Sequence, residues 1–84
     1  MGELEKYRLE IESIDEQLIA LICKRMEVSL KIGEYKKQNN VSIYNPKREE
    51  ELKNKNLQKV EKQYQAGCEE IFSAILKVSK DLQL

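Results

Sequence analysis

Residues 7–37 read YRLEIESIDEQLIALICKRMEVSLKIGEYKK, a run without proline and with a single glycine. Extended back to Leu4, it carries side chains at Leu4, Tyr7, Ile11, Ile14, Leu18, Leu21, Arg25, Val28, Ile32 and Tyr35, in alternating steps of three and four. That is the a/d spacing of a heptad seam, and only Arg25 breaks its apolar character. A second stripe of Ile19, Ile22, Met26 and Leu30 makes the middle of the segment apolar over most of its circumference. A helix of that kind must be covered by several neighbours. The pattern predicts one helix from about Glu3 to Gln38, roughly 54 Å long at 1.5 Å per residue. Such a helix is longer than a small domain is wide, so two copies crossing at the apolar centre, an intertwined homodimer, are expected.

Outward from this helix, NNVSIYNP at 39–46 interrupts the pattern. VSIY has strand character but is too short to build a sheet. Asn45-Pro46 reads as an N-cap followed by proline at the first helical position, with Glu49, Glu50 and Glu51 in the opening turns where the helix dipole favours acids. A second helix is expected over about 46–66 and a third over about 68–84, with Gly67 as the C′ residue between them. The expected fold is all-α: three helices per chain, one long and two shorter, in a single domain spanning 1–84, with no internal repeat.

Composition supports that reading and removes several function classes. The chain has 84 residues, three Gly and one Pro, and Lys, Glu, Leu, Ile and Gln dominate. A domain this small buries too little surface to be comfortably stable alone, which again favours self-association. Lys plus Arg equals Asp plus Glu at fifteen each, so no net field draws the chain to nucleic acid or to an anionic membrane, and neither is expected as a partner. There is no His, and Cys23 and Cys68 lack ligand spacing, so neither a metal nor a cofactor is expected. Two isolated cysteines, with no signal peptide and no long apolar run, lead us to expect a reduced, cytoplasmic protein. No GxSxG, Walker A or GxGxxG pattern supplies a nucleophile or a phosphate cradle. Any chemistry done here needs little proton transfer and no covalent intermediate.

Polar groups on packing faces are the remaining signal. A single charge at an a position commonly sets register or lies with its stem along the core. Lys36, however, follows Arg25 by eleven residues, three turns plus about 20°, so both point the same way about 16 Å apart along the axis. Two long cationic side chains at that spacing can converge on one small ligand. Lys36 alone would pass as a cation near a helix C-terminus. In the third helix Cys68, Ile71, Phe72, Ile75, Leu76, Ser79, Leu82 and Gln83 share one face, and Ser79 and Gln83 stand one turn apart among apolar residues. Fraying at the chain end is the plain alternative for Gln83. Arg48 and Glu49 open the second helix at the NP turn; pairing of Glu49 with Lys53 would be their ordinary use.

Taken together, these residues resemble the all-helical chorismate mutases, the AroQ class. The resemblance covers nearly the whole chain, through YRLEIESIDEQLIALICKRMEVSLKIGEYKK, IYNPKRE and IFSAILKVSKDLQ. It implies an isomerase that converts chorismate to prephenate by an intramolecular Claisen rearrangement, on the route to phenylalanine and tyrosine. With no second domain visible, a stand-alone mutase without a regulatory module is expected. The resemblance also implies substrate-binding residues Arg8, Arg25, Lys36, Asn45, Arg48, Glu49, Ser79 and Gln83, with Arg25, Lys36 and Gln83 catalytic. Cationic groups would hold the two carboxylates of chorismate, Lys36 and Gln83 would donate to the ether oxygen, and Glu49 would receive the ring hydroxyl. Asn45 stands where the family commonly has Asp, and Asn still caps a helix.

Arg8 would serve the site of the other subunit. It precedes Arg25 by seventeen residues, about 25 Å and a quarter turn away, so the two cannot meet one ligand from the same helix. An antiparallel partner could bring Arg8 between Arg25 and Lys36 with the two-fold between about Glu16 and Ile22, the apolar centre. Two other functions remain open: isochorismate-pyruvate lyase, which resembles the mutases in fold, and a non-catalytic helical dimerisation module, which leaves Arg25, Ser79 and Gln83 unexplained.

Overall fold

The computed structural model describes residues 2–84; Met1, included in the single-domain expectation, lies outside them. Three helices follow in order: α1 (Glu3–Gln38), α2 (Pro46–Leu57) and α3 (Lys62–Gln83), with no strand among the described residues. The all-α expectation holds.

α1 is one helix of 36 residues, with Glu3 and Glu5 in its first turn and Lys36 and Lys37 in its last, the charge order that complements the helix dipole. It stops at an Asn pair. Asn39 is the C-cap, Asn40 takes the left-handed conformation at φ 55°, and the Val41 N–H returns to the Lys36 carbonyl at 2.8 Å. Asparagine tolerates that backbone region better than other side-chain-bearing residues, and the returning bond satisfies a carbonyl at the helix end. α2 starts as its sequence suggests: Asn45 Oδ1 accepts the Arg48 N–H at 3.1 Å, with Pro46 next.

The second helix is shorter than its sequence suggests, and Gly67 is not its terminator. α2 ends at Leu57, residues 58–61 turn, and Gly67 lies inside α3 without a positive φ. The reason is tertiary. α2 is polar on most sides, whereas the long apolar face of α3 must swing back against α1. The turn is tied by Gln65, whose amide nitrogen donates to the carbonyls of Val60 at 3.2 Å and Leu57 at 3.5 Å. A glycine inside a helix costs about 1 kcal/mol relative to alanine, an amount packing readily overrides.

α3 packs against both other helices, while α1 and α2 do not pack on each other. The result is open and elongated, 57 × 26 × 15 Å with a radius of gyration of 16.3 Å. A compact chain of this length would have about 12 Å. All nine apolar seam residues of α1 are exposed, from 42% at Ile32 to 65% at Leu21. Among the described residues Leu76 is the one buried hydrophobic side chain. Among them, too, no helix is long and apolar enough to cross a membrane.

Candidate active site

The gap left between α1 and α2, floored by α3, is a cleft of about 560 Å³. That is within the range of small-molecule sites, roughly 300–1,000 Å³. α1 lines it with Arg25, Val28, Ser29, Ile32 and Lys36, residues at i, i+3, i+4, i+7 and i+11 and so on one face. The loop and α2 add Ile43, Asn45, Arg48, Glu49 and Leu52, and α3 adds Leu76, Ser79, Lys80 and Gln83. Seven of the eight residues expected at the site therefore face one cavity. The eighth does not: Arg8 is exposed near the start of α1 and is not part of the lining.

Several of these polar groups have defined neighbours. Lys36 donates from Nζ to the Ile43 carbonyl at 3.1 Å, which ties the end of α1 to the loop before Asn45. Arg25 sets its guanidinium 5.9 Å from the centre of the Phe72 ring of α3, a cation–π distance. Lys80 sits 4.8 Å from the centre of the Tyr44 ring. Ser79 Oγ and Ser29 Oγ are hydrogen-bonded at 2.6 Å across α3 and α1. Gln83 is buried, and its amide oxygen has no hydrogen-bond partner. Rotating an amide by 180° exchanges its oxygen for its donor nitrogen, so this group can offer either to the cleft.

Charge is unbalanced here. Arg25, Lys36, Arg48 and Lys80 line the cleft against the single carboxylate of Glu49, and none of the five forms an ion pair among the described residues. Lys53, one turn beyond Glu49 in α2, bridges instead to Glu69 of α3 at 3.6 Å. Unpaired cations in a concave site are disposed to hold an anion. No group of three or more His, Cys, Asp or Glu gathers to hold a metal among the described residues. Cations and amide donors can do two things without a nucleophile: hold carboxylates in a fixed geometry, and stabilise negative charge as it develops on an oxygen.

Sequence reasoning passed over Ser29 and Lys80. Ser29 is one turn beyond Arg25, on the face already drawn from Arg25 to Lys36, and Lys80 is one turn beyond Leu76. Both positions were available from helical spacing. A lone serine and a lone lysine carry no chemical signal until the opposing helix is known.

Comparison with known proteins gives a consistent picture. The family described as chorismate mutase type II matches residues 7–84. A bifunctional chorismate mutase/prephenate dehydratase of Aquifex aeolicus is 33% identical over 94 residues, covering 100% of this chain and 26% of that protein. The T-protein of Haemophilus influenzae is 43% identical over 49 residues, 58% of this chain and 13% of that protein. The chain thus spans about a quarter or less of the length of these curated relatives. Among solved structures, a conserved hypothetical protein from Pyrococcus furiosus superposes with a TM-score of 0.82 at 39% identity, covering 100% of this chain and 99% of that one.

Proposed function

The chain belongs to the type II chorismate mutase family, and from that premise we propose that it converts chorismate to prephenate in the cleft between α1 and α2. The observation that carries this reading is the set of four cations, without an ion pair among the described residues, that face one carboxylate across a cavity of about 560 Å³. Chorismate is a dianion that must fold into a compact, chair-like conformer before its C–O bond can break as a new C–C bond forms. Arg25 and Arg48 hold its carboxylates, with Ser79 adding a hydroxyl. Lys36 and Gln83 donate to the ether oxygen, where negative charge grows in the transition state. Glu49 and the Asn45 turn receive the ring hydroxyl. Positioning and preorganised donors suffice, because the rearrangement needs no nucleophile and no obligatory proton transfer.

The working unit is a homodimer in the cytoplasm, with Arg8 of each chain completing the site of the other. Support comes from the nine exposed seam residues of α1 and from an apolar groove beside Arg25, lined by Ile22, Met26, Ile71, Ala74, Ile75 and Val78. A single chain leaves both open, and a second copy has the matching surface. Cys23 and Cys68 are free thiols, in keeping with a reducing compartment.

Turnover of chorismate and isochorismate by the purified chain tests the activity. Prephenate formation from chorismate, with little pyruvate released from isochorismate, is the expected result. Preferential pyruvate release from isochorismate would replace the mutase reading with a lyase.

A further inference from the structure

The buried residues of this chain are few and they cluster. Among the described residues Ser29, Gly33, Leu76 and Gln83 are buried, and all four lie where α1 crosses α3. Ser29 and Gly33 are one turn apart on α1; Ser79 and Gln83 are one turn apart on α3 and face them. The upper pair is joined by the 2.6 Å bond between the two serine hydroxyls. The lower pair is joined by backbone proximity. A Cβ built on Gly33 would lie 2.8 Å from Gln83 Cα, 3.0 Å from its carbonyl oxygen and 3.2 Å from its Cβ. Ordinary contact begins at 3.4 Å, and the nearest atom is backbone, which cannot swing aside.

We infer that Ser29 and Gly33 of α1 are positioning residues that set the place of Ser79 and Gln83 in the cleft. Gln83 is the last residue of α3, and the final turn of a helix ordinarily frays. Here the absence of a side chain at position 33 lets the last turn of α3 settle directly on α1, burying Gln83 and fixing where its amide stands. Ser29 acts one turn earlier. When Ser29 donates its proton to Ser79 Oγ, the Ser79 proton is free to point at an anion; with the opposite polarity Ser79 has none to offer. A carboxylate in the cleft selects the first arrangement, and Ser29 supplies the donor it requires.

This inference rests on the proposed roles of Gln83 and Ser79, so the test pairs each positioning residue with its target. Gln83→Ala should lower kcat by about 10²–10³-fold, the loss expected for one preorganised donor. Gly33→Ala should lower kcat by up to about 10²-fold with KM little changed, since the last turn must move by roughly 1 Å. In the Gln83→Ala background, Gly33→Ala should have no further effect on kcat. Ser29→Ala should raise KM several-fold and have no further effect when Ser79 is already Ala. An unaffected Gln83→Ala chain overturns the role of Gln83 and the inference with it. A slowed Gln83→Ala chain beside an unaffected Gly33→Ala chain overturns the inference alone, as does an equal loss from Gly33→Ala in both backgrounds. Should Gly33→Ala fail to fold, the serine pair decides: equal effects of Ser29→Ala with and without Ser79 overturn the inference.

Discussion

Along a single helix, α1 presents two surfaces that its own chain treats in opposite ways. The seam from Leu4 to Tyr35 is built of large apolar side chains and is left 42–65% exposed. The Ser29 and Gly33 face is small and partly polar, and it is enclosed by α3. Globular chains ordinarily do the reverse, burying the large apolar groups first. On the proposed dimer, the inversion leaves the large apolar face for the second copy and uses the contact within each chain to place polar groups in a cleft. Stability and site geometry are thereby assigned to different faces of one element.

The largest disturbance is to the seam. Leu18→Asp puts a charge at the centre of the proposed two-fold, and symmetry counts the change twice. Loss of each buried leucine costs about 1.5–3 kcal/mol before the charge itself is considered. Sedimentation and circular dichroism should show loss of the dimer, with helix content and mutase activity falling together. A dimeric, active Leu18→Asp chain would remove the seam from the interface.

Arg25 sits where the two surfaces meet, an a position of the seam that lines the cleft. Arg25→Leu should therefore separate them. The seam gains an apolar residue, so thermal stability should hold or rise, while kcat/KM should fall by at least about 10²–10³-fold. An unfolded variant would make Arg25 a structural residue, and a fully active one would remove it from the site.

The smallest expected effect lies away from both surfaces. A Cβ at Gly67 would meet nothing within 4 Å, and its backbone is helical. Gly67→Ala should raise stability by about 0.5–1 kcal/mol, read as a higher Tm, with no change in turnover. A loss of stability there would mean that position 67 is covered in the proposed dimer.

What could be read in advance follows from the range of each interaction. The heptad of α1 and the NP cap of α2 are local patterns, and both were legible. So was the alignment of Arg25 with Lys36, since eleven residues return a helix to nearly the same face. The end of α2 was not, because Gly67 has the composition of a terminator while the actual turn at 58–61 contains neither Gly nor Pro and is set by the packing of α3. The order of Gln83 was equally hidden. It depends on the missing side chain of a residue fifty positions earlier, and a glycine inside a helix gives no hint of what lies across from it.

The central claim is that each cleft is completed by its partner, and mixing two inactive variants tests it most directly. Arg8→Ala and Arg25→Ala chains should each be nearly inactive. After co-refolding in equal amounts, half the dimers are mixed and each of these holds one intact site, so activity should recover to about a quarter of the unsubstituted level. No recovery, with mixed dimers shown to be present, would contradict a site shared between two chains.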